Sequence, residues 1–187
     1  MPPIYDLSSL LDAIDLGLQP KYLFFWGHQP RNDGKISKEC FSQWWDQPFI
    51  VEGINYPTAE HWMMAEKARL FGDSDALEKV LSASNPAVAK KMGRLVQNFD
   101  EAIWEKNRFD IIVRGNLAKF GQHPILREFL LSTGERVLVE ASPFDRIWGI
   151  GMAAGDPNID NPLYWQGLNL LGFALMKVRW HLHNSSD

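Results

Sequence analysis

The chain has 187 residues, 45% of them hydrophobic and 22% charged, which suits one globular domain with a sizeable core. Its formal net charge of −4 argues against a protein that grips long nucleic acid mainly through phosphates, though not against recognition of one modified nucleotide. No apolar run nears the roughly 20 residues of a membrane span, and the single cysteine, Cys40, excludes an internal disulfide and suits a reducing compartment, so a cytoplasmic protein without membrane association is expected.

The first residues, Met1 to Asp6, lack the basic and apolar regions of a signal peptide. Residues 7–16 suit a short helix, and residues 1–20 are treated as an extension to a domain over 21–183. Lys21 to Trp26 reads as a buried aromatic strand. Gly27 to Cys40 is a polar loop rich in turn formers. Phe41 to Trp45 and Phe49 to Ile54 flank Asp46-Gln47-Pro48 as two short strands. Tyr56-Pro57-Thr58 then brakes the chain and offers Thr58 as N-cap to a helix from Ala59 to Phe71, stopped at Gly72. Further helices are expected over 75–82, 86–96 (opened by Asn85-Pro86), 100–120 and 124–131. Within 100–120, Ile103, Trp104, Ile111, Ile112 and Leu117 roughly share one face. Arg136 to Ala141 is β-like, and Gly167 to His181 closes the chain as a largely buried helix. The sum is a compact single domain of the α+β class, predominantly helical, with five or six helices and no βαβ alternation.

Three constellations carry chemistry. The first is the helix with Glu60 and Lys67. Seven residues apart, they share a face two turns long, beside Met63, Met64 and Ala65. The plain alternative is a solvated surface pair. The functional reading is an acid–base carboxylate and an amine whose pKa values respond to apolar walls, the amine also being able to attack an anomeric carbon. The second is Glu140 to Gly151, where a loop after a strand presents Asp145, Trp148 and two glycines. Its Gly149-Ile150-Gly151-Met152-Ala153-Ala154 run formally matches a dinucleotide fingerprint, but no strand directly precedes it and no helix follows. A glycine loop that lets backbone approach a ligand beside a stacking tryptophan competes with a tight turn around a core tryptophan. The third is Gly93-Arg94 behind Lys90 and Lys91, either a solvated basic face or a phosphate contact through Arg94. No metal site is expected: His61 has no second histidine at helical spacing, and only His181 and His183, near the chain end, have ligand spacing. No histidine has a defined relation to Cys40, so a thiol nucleophile is not expected.

Several segments resemble the YbiA-like proteins, also called the NADAR domain family. They are Phe24-Phe25-Trp26-Gly27; Phe41-Ser42-Gln43-Trp44; Pro48-Phe49 with Gly53 and Tyr56; Thr58-Ala59-Glu60-His61 with Met64, Ala65, Lys67 and Ala68; Gly93-Arg94; Trp104; Lys119-Phe120; and Leu138-Val139-Glu140 through Gly151. The likeness runs from about residue 22 to 180. Where the family more often has tyrosine or phenylalanine after Glu-His, this chain has Trp62.

The resemblance implies a mostly helical α+β fold and hydrolysis of an N-glycosidic bond, with no cofactor. It implies Glu60 as the essential carboxylate, Lys67 as the active-site lysine, and Asp145 as a proton donor or an orienter of the leaving base. It further implies a ligand-lining set of Phe25, Trp26, Gly27, Ser42, Trp44, Met64, Arg94, Trp104, Trp148 and Gly149. Trp148 would stack on base or ribose, worth about 1–3 kcal/mol. Two substrates follow from the family: ADP-ribose on guanine in nucleic acid, slightly favoured because aromatics at 24–26 and 43–45 suit a larger ligand, and early ribosylamino-pyrimidine phosphates of riboflavin synthesis. The rival of another class is a non-catalytic ADP-ribose or NAD-binding module, which has no need of Glu60 and Lys67.

Overall fold

A computed structural model describes residues 4–185; Met1–Pro3, part of the segment read above for a leader, lie outside the described residues. In chain order the elements are α1 (Leu7–Asp15), β1 (Tyr22–Phe25), β2 (Phe49–Val51), β3 (Ile54–Tyr56), α2 (Ala59–Leu70), α3 (Ser74–Leu81), α4 (Pro86–Gly93), α5 (Glu101–Gln122), α6 (Pro124–Ser132), β4 (Val137–Glu140) and α7 (Leu170–Asn184). Single 3₁₀ turns lie at Lys38–Phe41 and Pro162–Tyr164. The protein is therefore α+β and predominantly helical. Among the described residues, no helix is long and apolar enough to cross a membrane. The described residues form two compact units: Gln43–Pro124, and 4–42 with 125–185.

The 43–124 unit is a helical cluster with one hairpin. The hairpin corrects the expected strand pair. Phe41 to Trp45 forms no strand; instead β2 and β3 pair antiparallel, Phe49 opposite Tyr56 and Val51 opposite Ile54. The cause is the two-residue turn Glu52-Gly53, both with positive φ (51° and 78°), the geometry that joins twisted strands tightly. It places the reversal inside the run Phe49 to Ile54, read as one strand.

Helix α2 is the centre of this unit and packs on α3, α4 and α5. Thr58 caps it by accepting from His61 N–H. Eight of its twelve residues are buried, from Ala59 to Ala65 without a break and again at Ala68. A helix buried on nearly all sides has no polar face on which to leave a carboxylate, so its first turn carries Glu60 inward. Two glycines permit this closeness. A Cβ on Gly115 of α5 would stand 2.2 Å from the Trp62 ring, and one on Gly93 of α4 would stand 2.0 Å from Met64 Sδ. Trp62 Nε1–H donates to Ile111 O at 2.8 Å across the same α2–α5 seam. Ile103 is exposed, unlike the rest of its expected face, of which Trp104, Ile111 and Ile112 are buried. Asn85, Asp73 and Asp100 cap α4, α3 and α5.

The other unit is built on a parallel pair, β1 with β4, in register Tyr22↔Val137 to Phe25↔Glu140. Its strands are more than a hundred residues apart, so no local pattern announces them as partners. Helix α7 lies on β4, its Gly172 leaving only 2.0 Å between an added Cβ and Leu138 O. Asn169, buried and in the left-handed region (φ 53°), acts as a one-residue strand edge. Its Oδ1 accepts from Glu140 N–H and its Nδ2 donates to Leu138 O, both at 2.9 Å.

Candidate active site

The two charged residues of α2 sit in different surroundings. Glu60 is 2% exposed, which removes the surface-pair reading. Its backbone N–H donates to Gln43 O at 2.9 Å, so the helix start is tied to the segment just before the hairpin. Gln43 is itself buried, and its side chain meets Asn116 of α5, whose Nδ2 donates to Gln43 Oε1 at 2.9 Å. Lys119, one turn beyond Asn116, is fully buried as well. Gln43 and Asn116 thus form a buried polar pair tied to the helix start that carries Glu60, and Lys119 is a further buried polar residue of α5. Gln43, Asn116 and Lys119 are not among the candidates expected from sequence. Asn116 was visible only as an amide inside an apolar helix, a residue type that usually seeks caps and turns.

Lys67 lies two turns on. Its ammonium stands 4.2 Å from the Phe99 ring centroid and 5.6 Å from that of Trp104, a cation held against two aromatic faces. Burial lowers its pKa; Glu101 counters and Arg94 reinforces this. Trp104 and Phe99 both lie against the lysine, and Phe99 is not among the residues expected from sequence. Arg94, exposed, acts on Lys67 through space as a like charge. Trp44 is half-buried with the Lys90 ammonium 5.9 Å from its ring. Met64 is buried against Gly93, so its visible part in the unit is helix packing.

His61 has a structural assignment. Its Nε2 bonds the carbonyl of Ala83 at 3.1 Å, so that nitrogen carries the proton and Nδ1 accepts from the Thr58 hydroxyl at 2.8 Å. Burial lowers its pKa and keeps it neutral. Glu66 is committed elsewhere, bridging Arg69 (2.7 Å) and Arg114 (2.8 Å).

In the other unit lie Phe25, Trp26, Gly27, Ser42, Asp145, Trp148 and Gly149. Phe25 is core. Gly27 has a positive φ of 84°, which turns the chain after β1. Ser42 closes the 3₁₀ turn by donating its N–H to Glu39 O. Trp26 is 52% exposed, and its ring lies 6.2 Å from that of Phe144, 85% exposed; the two make an open aromatic surface. Asp145 Oδ1 accepts from Ile147 N–H (2.9 Å) and Trp148 N–H (2.8 Å), an Asx turn that shapes its own loop. Trp148 is half-buried there. Gly149 serves chain packing: a Cβ would lie 2.8 Å from Glu140 O, and Gly149 O would lie 2.3 Å from a Cβ on Gly167. Gly149 therefore brings backbone against backbone, whereas Gly151, with a positive φ of 66°, faces the side chains of Arg146 and Gln166.

A buried carboxylate and a desolvated amine on one helix, lined by aromatics, make a set suited to acid–base and amine chemistry on a sugar. Comparison with known proteins gives the family of the chain. The NADAR domain family model matches residues 24–183. N-glycosidase R617 of Acanthamoeba polyphaga mimivirus is 43% identical over 164 residues, covering 85% of this chain and 95% of that protein. N-glycosidase YbiA of Escherichia coli (strain K12) is 34% identical over 142 residues, 76% and 78% of the two chains. The NMR structure of the E. coli protein YbiA superposes with a TM-score of 0.70 at 30% identity, covering 90% of this chain and 88% of that one. The chloroplastic riboflavin biosynthesis protein PYRR of Zea mays is 35% identical over 133 residues, 67% of this chain but 20% of its own length. The chain belongs to the NADAR domain family, and like its N-glycosidase relatives it is a hydrolase.

Proposed function

We propose that the chain hydrolyses the C1–N bond of an N-ribosylated base, with ADP-ribose on guanine in nucleic acid as the favoured substrate and Glu60 and Lys67 as the catalytic residues. The observation that carries this is the pairing, on one helix, of a fully enclosed carboxylate with an amine whose pKa is lowered by burial. Cleavage passes through an oxocarbenium-like state, so a carboxylate on the ribose side stabilises charge, activates water or assists ring opening through a hydroxyl. Lys67 supplies the amine. In its neutral form it adds to C1 as the C1–N bond breaks and the base leaves with a proton. The ribosylamine so formed on Lys67 opens its ring as the C1–O bond breaks and the amine proton moves to the ring oxygen, leaving an imine that water hydrolyses to return the amine and release the sugar. Arg94 keeps a larger fraction of Lys67 neutral and offers a contact for phosphate.

Two cation–aromatic groupings in the 43–124 unit, Lys67 with Phe99 and Trp104 and Lys90 with Trp44, suit a ligand with several anionic and aromatic parts, which favours the ADP-ribosyl substrate. The likeness to the Zea mays riboflavin biosynthesis protein favours the second reading, a free ribosylamino-pyrimidine phosphate. The single buried Cys40 suits a reducing, cytoplasmic setting.

A side-by-side turnover assay separates these readings, offering ADP-ribosyl-guanine oligonucleotide and the pyrimidine phosphate to the wild type and to Glu60→Gln. Loss of about 10³-fold in kcat on the true substrate is expected of Glu60→Gln. Near-wild-type turnover by that variant on both substrates sinks the role of the carboxylate. Borohydride added during turnover is expected to trap an adduct on Lys67; an unmodified mass leaves direct hydrolysis in place of the imine. Binding of ADP-ribose without turnover of either substrate returns the non-catalytic module.

A further inference from the structure

The amide pair beside Glu60 leaves two polar atoms unanswered. Asn116 Nδ2 donates to Ile112 O at 3.0 Å, a carbonyl that can only accept, and this bond fixes which end of the Asn116 amide is nitrogen. The same Nδ2 donates to Gln43 Oε1 at 2.9 Å, which in turn fixes the Gln43 amide. Both orientations are therefore determined by a helix carbonyl. What remains is Gln43 Nε2, a donor, and Asn116 Oδ1, an acceptor, each buried and neither hydrogen-bonded. The residues are 6% and 0% exposed. Unanswered polar atoms at that depth are costly, and flipping either amide breaks a bond already made. Gln43 is also the residue whose carbonyl receives the Glu60 N–H, so the pair is bonded through the main chain to the proposed catalytic carboxylate.

We propose that Gln43 and Asn116 form a hydroxyl-recognition pair for the substrate sugar, Gln43 Nε2 donating to one ribose hydroxyl and Asn116 Oδ1 accepting from it. A hydroxyl is the smallest substrate group that offers an acceptor and a donor on one atom, which is the complement of this pair. The pair would make the enzyme selective for a ribosyl over a deoxyribosyl group, because a missing hydroxyl leaves both buried atoms unanswered in the transition state. This inference rests on the reading of Glu60 as the ribose-side carboxylate.

The test uses the whole chain and three substrates: the N-ribosylated base it turns over best, and the analogues lacking the 2- or the 3-hydroxyl of the same ribose. The wild type is expected to lose at least about 10²-fold in kcat/KM on one analogue. Gln43→Glu keeps an oxygen that accepts from Asn116 and replaces the unanswered donor with a charged carboxylate oxygen. It should lose activity on the full substrate while the ratio between substrate and analogue falls toward one. Gln43→Met, which carries no charge, is expected to do the same, and thermal denaturation of both verifies folding. A merely structural role would lower activity on substrate and analogue alike and keep the wild-type ratio. That outcome, or a wild type indifferent to both hydroxyls, overturns the proposal and points to a buried water on the pair. A wild type that turns over no N-riboside overturns the proposed function as well.

Discussion

The loop from Asp145 to Gly151 and the polar group at the start of α2 use their polar atoms in opposite ways. In the loop, one Asp145 oxygen takes two backbone N–H groups, Ile150 N–H reaches Glu140 O, and Gly151 N–H reaches Asp145 O. The residues after it, 166 and 168–171, donate back to the loop carbonyls. Gly149, with Gly167 against its carbonyl, allows backbone to cross backbone at distances no Cβ tolerates. At the start of α2, by contrast, a donor and an acceptor stay buried and unanswered next to Glu60. Both stretches look equally rich in chemistry when read as strings of residue types. The difference teaches that a side chain already used by its own loop shapes structure, whereas a polar atom kept buried without a partner is available to a ligand.

The largest test of this contrast sets Asp145 against Glu60. Glu60→Gln is expected to lose about 10³-fold in kcat, whereas Asp145→Asn, which retains the oxygen that accepts from Ile147 and Trp148, should stay within about threefold. Asp145→Ala removes that acceptor and should destabilise the fold by about 1–2 kcal/mol in urea denaturation. A hundredfold loss of turnover in a stable Asp145→Asn protein breaks the comparison, because the carboxylate would then serve chemistry and not the loop.

A smaller effect probes the packing that carries Glu60 inward. Gly115→Ala drives a methyl to within 2.2 Å of the Trp62 ring and threatens the bond from Trp62 to Ile111 O. It is expected to cost about 1–3 kcal/mol. Gly155→Ala, with nothing within 4 Å of the added carbon, should change stability by less than about 0.5 kcal/mol. Equal denaturation midpoints for the two variants remove the close α2–α5 seam from the account.

The smallest effect is electrostatic. A pKa below the usual lysine value leaves more neutral amine at any given pH, so Lys67 should be acetylated at lower pH than exposed lysines, as followed by peptide mass spectrometry. Removing the like charge with Arg94→Met should move that midpoint up, and removing the counter-charge with Glu101→Gln should move it down. The stability linkage has one sign. Since the folded state holds its proton less tightly, protonating Lys67 favours unfolding, and its contribution grows as pH rises toward the ordinary lysine pKa. A midpoint matching exposed lysines contradicts the desolvated amine.

Much of the fold was legible along the chain because its signals are local. Thr58, Asn85 and Asp100 cap the helices they precede, and Pro86 opens α4 as a first-turn proline must. The hairpin turn is hidden from a local reading because Glu-Gly is a weaker turn signal than Asn-Gly, while Asp46-Gln47-Pro48 advertises a turn more loudly. Of the candidate site, Glu60, Lys67 and Trp104 were legible from helical spacing and motif. Phe99, Gln43 and Asn116 were not, since each acquires its role from a residue distant in the chain: Lys67 for Phe99, and each other for the amides.

Caps, breakers and periodicity act over a few residues, so the order of amino acids alone specifies a helical α+β protein and one helix that carries a carboxylate and an amine two turns apart. Only the tertiary structure decided that Glu60 is enclosed, that Lys67 stands between two aromatic rings, and that β1 finds β4. It also decided that the amides of Gln43 and Asn116 hold one donor and one acceptor in reserve. Those outcomes depend on desolvation and on close approach at Gly93, Gly115 and Gly172, quantities that exist only once distant segments are packed together.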